Sequence, residues 1–130
     1  QKPMKLCGFP DGVYDWTNGE RIVKTGARLT LEGSDKIAGS SATLIECINN
    51  FRRWSGASIA DAINAATATP ARLLGLQGVK GSLDSGADAD LVVLSEEDDP
   101  ESPTLTVYQV WKRGVKIHDS DKEIASTTTV

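Results

Sequence analysis

The chain has 130 residues, which is the size of one modest domain or of a part of a larger one. Acidic residues outnumber basic ones by 18 to 14, and the net charge of −4 argues against a nucleic-acid partner, which requires a basic face. No apolar run approaches the roughly 20 residues of a membrane-spanning helix, so we expect no membrane partner. The hydrophobic fraction of 39% and the charged fraction of 25% are typical of a globular protein.

The first forty residues are predicted to hold one hairpin between irregular segments. Turn residues predict an irregular segment over 1–19, which Tyr14 and Trp16 attach to a core because aromatic side chains bury a large area. Two apolar stretches within 21–31 flank a Gly-containing link and predict a β-hairpin. Residues 32–39 are predicted to form a loop.

A helix is predicted from about Ser41 to Trp54. Its apolar residues recur at i, i+4 and i+7, which predicts one buried stripe. These residues are Leu44, Ile48 and Phe51. Thr43 and Glu46 could also form a capping box, so the starting residue stays open between Ser41 and Thr43.

The stretch from Ser58 to Leu94 begins with helical patterns. Ser58 and Asp61 form a capping pattern in front of an apolar run. The predicted buried face consists of Ile59, Ala62, Ile63 and Ala66. Pro70 cannot continue this helix, and with Thr69 as the cap it predicts a second short helix that ends before Gly75.

After Gly75 the pattern changes to that of β-structure. A short strand over 81–83, a turn over 84–86 and a strand over 91–94 are predicted. The unbroken apolar run of the second strand predicts that both of its faces are covered. The acidic segment 96–103 is interpreted as a solvated loop rather than a metal site, because nothing there fixes ligand geometry.

The chain is predicted to close with a β-hairpin. Its strands cover 105–111 and 115–117, with Val107 and Trp111 on one face and Val110 on the other. The Thr-rich tail over 126–130 is expected to fray.

The residue types that could carry chemistry do not form a complete active site. His118 is the only histidine and is interpreted as a surface residue. Cys7 and Cys47 form no C-x-x-C pair, and a small buried apolar role is expected for them. They predict reduced thiols in a cytoplasmic protein.

Two strings carry a resemblance to a known family. ATATPARLLGL, followed by GSLDSGADADLVVL, resembles the end of amidohydrolase superfamily members, and TLEGSDKIAGSSATLIECINNFRRWSG narrows the match. The chain resembles the C-terminal part of the N-acetylglucosamine-6-phosphate deacetylase family. The resemblance implies an α/β fold, with residues 1–78 as the C-terminal end of a TIM-like metal-dependent hydrolase barrel. Residues 79–130 would then be part of a small β-sandwich domain.

The resemblance also implies that most of the active site lies before Gln1. The family holds a divalent metal, expected to be zinc, through a Glu and two His from earlier barrel strands, and none of these ligands is expected in this chain. The catalytic aspartate of the family also falls before Gln1, and Asp11, in a Pro-Asp-Gly turn, does not match it. The chain starts at Gln1 instead of methionine, so a fragment, a processed product or a trimmed chain is expected.

One part of the site can be carried over by the resemblance. Ile37, Ala38 and Gly39 match the substrate-binding loop of the family, whose members contact the amino sugar. Gly39 would allow close backbone approach, and Ser40-Ser41 would open a helix whose free N–H groups suit an anion or a sugar oxygen. From the residues alone, a plain N-cap loop remains the alternative.

Asp88 and Asp90 are interpreted as strand-end and turn residues and not as catalytic groups. They lie in the part of the chain that resembles the β-sandwich.

The implied activity is hydrolysis of N-acetylglucosamine 6-phosphate to glucosamine 6-phosphate and acetate by the full-length protein, with the chain alone inactive. The resemblance further implies a small amino-sugar phosphate as partner and a homodimer. Two alternatives stay open. The shared strings also permit another amidohydrolase, dihydroorotase-like or imidazolonepropionase-like, and the missing ligands permit a non-catalytic interaction module.

Overall fold

The computed structural model describes residues 6–97 and 103–121. These residues divide into two compact units, which meet in sequence between Cys47 and Ile48. The described part of the chain is α/β, with two antiparallel sheets and three α-helices. The predicted tail over 126–130 lies outside the described residues.

The first unit is built around a four-stranded meander. Its strands follow one another in the order of the chain: β1 Gly12–Asp15, β2 Arg21–Thr25, β3 Arg28–Leu31 and β4 Ile37–Ser40. Neighbouring strands are antiparallel, and β2 with β3 forms the predicted hairpin. The core of this unit consists of Leu6, Ile22 and Leu29. Tyr14 and Trp16 pack against it, as predicted.

Two segments predicted to be irregular contain strands. β1 lies within the predicted irregular segment 1–19, and β4 begins inside the predicted loop 32–39. Both are short strands at the edges of the sheet. Their sequences, GVYD and IAGS, are too short to show the alternation that identifies a strand, so the pairing with a neighbour decides their conformation.

Helix α1, Leu44–Ser55, begins in the first unit, and most of its residues belong to the second. Its apolar stripe is not buried as predicted. Leu44 is 66% exposed and Phe51 is 44% exposed, while Ile48 is half-buried. The helical period placed these side chains on one face correctly, but the described part of the chain provides no element that covers that face.

The second unit holds the remaining helices, α2 Ile59–Ala66 and α3 Ala68–Leu73. The hydroxyl of Ser58 accepts the Asp61 N–H at 3.1 Å, which confirms the predicted cap, and Ala62 is buried on the predicted face. The helical break lies at Thr67, not at Pro70. Pro70 is the third residue of α3, where its missing N–H costs nothing because first-turn N–H groups have no partner within the helix.

The second sheet contains three antiparallel strands in chain order, β5 Leu91–Glu97, β6 Thr104–Lys112 and β7 Val115–Asp119. The predicted closing hairpin is confirmed, and so is the turn over 84–86, where the Ala87 N–H donates to the Asp84 carbonyl at 3.1 Å. Residues 81–83 do not form the predicted strand. β5 is not covered on both faces, since Val92 is 55% exposed.

Part of the acidic segment 96–103 also differs from the prediction. Glu96 and Glu97 are the last residues of β5, and Glu96 pairs with Arg52 of α1 at 3.1 Å. Residues 98–102 lie outside the described part of the chain. None of the helices in that described part has the length and apolar character that a membrane crossing requires.

Candidate functional site

The three residues predicted to contact a ligand lie in strand β4. Leu29 of β3 lies opposite Gly39, and Thr30 lies opposite Ile37, so Ala38 is an extra residue and forms a β-bulge. Ala38 packs against the hydrophobic core, whereas Ile37 is 68% exposed. Bulges interrupt the hydrogen-bond ladder and redirect neighbouring side chains. We call Ile37, Ala38 and Gly39 the bulged segment. It has backbone groups and one apolar side chain that could meet a ligand.

The helix does not follow this segment directly, which corrects the prediction that Ser40-Ser41 opens it. Ser40 is the last residue of β4, and its hydroxyl accepts the Ala42 N–H at 3.1 Å. The helix starts at Leu44, so the alternative start at Thr43 is confirmed. The reason is that the side chains of Thr43 and Glu46 each bond the backbone N–H of the other. Ser40 and Ser41 have no Glu or Gln three residues later, so neither can form such a capping box.

The N-terminus of α1 is closed by a capping box. The Thr43 N–H donates to the Glu46 carboxylate at 2.6 Å, and the Glu46 N–H donates to the Thr43 hydroxyl oxygen at 3.4 Å. The hydrogen bond from the Thr43 backbone lowers the pKa of Glu46, because it stabilises the charged carboxylate. A carboxylate therefore already occupies this helix end, which argues against the helix N-terminus as an anion site.

A buried basic side chain shares a hydrogen-bond acceptor with Ser41, which follows β4. Lys24 is only 8% exposed, and its ammonium group donates to the Gly26 carbonyl at 2.6 Å and to the Asp11 carboxylate at 3.3 Å. The Gly26 N–H donates to the same Asp11 oxygen at 2.8 Å. The Ser41 hydroxyl, just after β4, donates to the Gly26 carbonyl at 3.2 Å. We call Asp11, Lys24, Gly26 and Ser41 the Lys24 cluster.

Reasoning from the sequence missed the Lys24 cluster. A signal was present, because strand side chains alternate and Lys24 is two residues from Ile22, which is fully buried. The alternation therefore places Lys24 on the core-facing side of β2. A charged residue at such a position needs a partner, which Asp11 provides from the turn before β1.

Asp88 and Asp90 belong to an ionic cluster in the second unit. The Asp90 carboxylate accepts hydrogen bonds from Lys112, from Lys80 and from the Arg113 N–H, the last at 2.9 Å. Lys112 and then Lys80 hold the pKa of Asp90 well below its usual range. Asp88 pairs with Lys80 at 2.7 Å, and this hydrogen bond is the main cause that raises the pKa of Lys80. These contacts tie the loop after α3 to the β6–β7 hairpin, in line with the predicted strand-end and turn roles.

The residues described here do not fit a hydrolytic metal centre. Among them, no three His, Cys, Asp or Glu side chains lie close enough together to hold a metal ion. His118 lies in β7 and is partly exposed. Cys7 and Cys47 are free thiols and both are exposed, so the buried apolar role predicted for them is wrong.

Comparisons with known proteins assign most of this chain to one family. The model of the Amidohydrolase family matches residues 15–119. The N-acetylglucosamine-6-phosphate deacetylase of Rattus norvegicus is 40% identical over 110 residues, which are 84% of this chain and 26% of that protein. The N-acetylgalactosamine-6-phosphate deacetylase of Escherichia coli O157:H7 is 34% identical over 111 residues, or 85% of this chain and 27% of that protein. The chain thus spans about a quarter of the length of these curated relatives.

A solved structure resembles this chain in fold and in sequence. An aspartate-to-alanine variant of N-acetyl-D-glucosamine-6-phosphate deacetylase from Mycobacterium smegmatis, in complex with N-acetyl-D-glucosamine 6-phosphate, superposes with a TM-score of 0.61 at 33% identity. The match covers 85% of this chain and 28% of that one.

Proposed function

Because the chain belongs to the amidohydrolase family, we propose that it is part of an enzyme that deacetylates N-acetylglucosamine 6-phosphate. The observation that carries the proposal is the 40% identity to the rat deacetylase over 84% of this chain. The reaction adds water across the acetamide C–N bond and yields acetate and glucosamine 6-phosphate. The comparisons do not favour a dihydroorotase-like or imidazolonepropionase-like enzyme.

The chemical groups of this reaction would come mainly from outside this chain. A divalent metal, expected to be zinc, would act as a Lewis acid in the full-length enzyme. Since the described residues do not fit such a centre, we place its ligands and the catalytic aspartate in other parts of the protein. This chain would contribute to substrate binding.

The bulged segment is our candidate for that contribution. The exposed Ile37 side chain and the interrupted ladder at Ala38 support a role in contacting the amino sugar. In the full-length enzyme, Gly39→Val should raise KM, because a β-branched side chain obstructs backbone approach. An unchanged KM together with unchanged activity would remove the segment from the binding site.

For the fold, we propose that residues 1–78 form the C-terminal end of a TIM-like barrel and residues 79–130 a part of a β-sandwich. The uncovered apolar faces of α1 and β5 support this proposal, because apolar faces of this kind normally pack against another layer. The missing cover would be the rest of the same protein, since the curated relatives are about four times as long as the matched region.

We further propose that the full-length protein is a cytoplasmic homodimer. The two free thiols support a reducing compartment. Light scattering of the purified full-length protein would measure the assembly, and a mass equal to one chain would reject the dimer.

Acetate release by the full-length protein tests the proposed reaction. N-acetylglucosamine 6-phosphate, its galactosamine epimer and dihydroorotate should be compared at equal concentration. Turnover of the glucosamine compound above the others supports the proposal. Preference for the epimer would assign the protein to the specificity of its Escherichia coli relative, and preference for the cyclic amide would overturn the deacetylase assignment. Absence of all turnover would favour the interaction module.

A further inference from the structure

We propose that Lys24 and Ser41 are positioning residues that fix the register of the bulged segment and thereby place its backbone against the substrate. The inference rests on the proposed function, because it assigns these two residues to the same binding segment. Neither residue needs to touch the substrate. Both act through the turn between β2 and β3.

Two hydrogen bonds attach Ser41 to that turn. The Ser41 side chain donates to the Gly26 carbonyl at 3.2 Å, and its own N–H donates to the Ala27 carbonyl at 2.9 Å. Ser41 is 7% exposed, so water competes little for these bonds. The chain is therefore held by two hydrogen bonds at Ser41, two residues after the bulged segment.

The turn itself is held through both backbone groups of Gly26. Lys24 and Ser41 share the Gly26 carbonyl as acceptor, while the Gly26 N–H is bound by Asp11. Both backbone groups of Gly26 are thus held by side chains that the turn does not contain. The Lys24 ammonium group also makes the smallest of the contributions that lower the pKa of Glu46.

The attachment is needed because β4 lies at the edge of the sheet and contains the bulge. A bulge adds one residue to β4, and β4 pairs with β3 alone along one edge. Side chains alternate along a strand, so a slip by one residue would turn Ile37 toward the core and Ala38 outward. Because Ser41 is attached to the turn, the bulge stays at Ala38 and the same backbone groups of the segment stay available.

The test compares matched variants of the full-length enzyme. Lys24→Met keeps the length of the side chain and removes the ammonium group, and Ser41→Ala removes only the hydroxyl. We expect Lys24→Met to raise KM roughly tenfold and Ser41→Ala roughly threefold, with kcat within about twofold of the parent. Arg21→Met is the control, since Arg21 lies on the same strand but makes solvent-exposed ion pairs with Asp15 and Glu32. Its KM should match that of the parent.

A second measurement reads the register directly. Hydrogen exchange at the Ala38 and Gly39 amides should be faster in both variants than in the Arg21→Met control. A lower melting temperature with unchanged KM and unchanged exchange would mean a purely structural role and would overturn the inference. If Lys24→Met does not fold, Ser41→Ala decides alone. If the parent turns over neither N-acetylglucosamine 6-phosphate nor its galactosamine epimer, the proposed function fails. The hydrogen-exchange rates then test by themselves whether Lys24 and Ser41 fix the register.

Discussion

Individual hydrogen bonds determine where α1 begins and how the stability of its first turn depends on pH. Thr43 donates through its N–H and its hydroxyl to the Glu46 carboxylate, at 2.6 Å and 2.8 Å. The helix N-terminus is also the positive end of the helix dipole, so a negative charge there is favourable. The contribution of Glu46 should therefore depend on its ionisation.

The first prediction follows from this dependence. The pKa of Glu46 is lowered in the folded chain, so its contribution to stability is present above the unfolded-state pKa and is lost as pH falls through the folded-state pKa. Glu46→Gln should destabilise the chain at pH 7, and the difference from the parent should shrink toward pH 3. Thr43→Ala should cost about 1 kcal/mol at neutral pH. Urea unfolding followed by circular dichroism measures both, and a difference that does not vary with pH would contradict the assigned role.

At the scale of elements, side chains that occupy equivalent positions in a helical or strand pattern differ in how far they are exposed to solvent. Phe51 and Leu29 are both apolar residues at regular positions of an element, yet Leu29 is fully buried and Phe51 is 44% exposed. The free energy that a truncation costs depends on how closely the side chain is packed and on the cavity that its removal leaves behind.

The second prediction compares these two truncations in the chain itself. Leu29→Ala should reduce the free energy of unfolding by about 2–5 kcal/mol, because it empties the centre of the first unit's core. Phe51→Ala should cost less than about 1 kcal/mol, in contrast to the core loss that its helical spacing predicts. Equal effects in urea unfolding would show that α1 is covered. In the full-length protein, where we propose such a cover, the cost of Phe51→Ala should increase.

The third prediction concerns the contact between the α2–α3 break and the loop after α3. Gly81 has a φ of +74°, and a Cβ there would lie 2.6 Å from the carbonyl oxygen of Thr67. Gly86 also has a positive φ, but a Cβ there would meet open space. Gly86→Ala should therefore cost about 1 kcal/mol for the left-handed conformation alone, and Gly81→Ala more than about 2 kcal/mol. A smaller loss at Gly81 than at Gly86 in urea unfolding would contradict the close contact.

At the scale of the whole molecule, this chain carries surfaces that suit a larger protein. Large apolar side chains are exposed on α1, on β5 and after α3, including Trp54, Val92 and Leu83. The matched relatives extend well beyond the matched region, to about four times its length. Under the proposed function, this chain would orient the substrate, and other parts of the protein would supply the chemical groups.

The fourth prediction states the consequence for the chain alone. It should release no acetate from N-acetylglucosamine 6-phosphate and should retain no stoichiometric metal after dialysis, because a hydrolytic zinc centre needs about three fixed protein ligands. The described residues offer no such group. Elemental analysis and an acetate assay measure both properties. Bound zinc at one equivalent, or turnover that a chelator abolishes, would mean that the 130 residues contain a complete site.

The sequence by itself determined the features that depend on neighbours along the chain. The capping patterns at Thr43 and Ser58, the β2–β3 hairpin and the closing hairpin are each set by residues a few positions apart, and the structure confirms them. The two matched strings were likewise sufficient to identify the family. The binding role of Ile37, Ala38 and Gly39 also came from the sequence, and it stays a prediction.

Only the tertiary structure decided what depends on distant partners. Lys24 can be buried because its ammonium group donates hydrogen bonds to Asp11, 13 residues away, and to the Gly26 carbonyl. The bulge at Ala38 exists only in the pairing of β3 with β4. Asn49 pairs through its amide with both backbone groups of Leu105, 56 residues further along the chain. Hydrophobic periodicity shows which face of an element is apolar, but burial requires a second surface to cover that face. For α1 and β5 the described residues do not provide one, which is why the sequence predicted burial and the structure shows exposure.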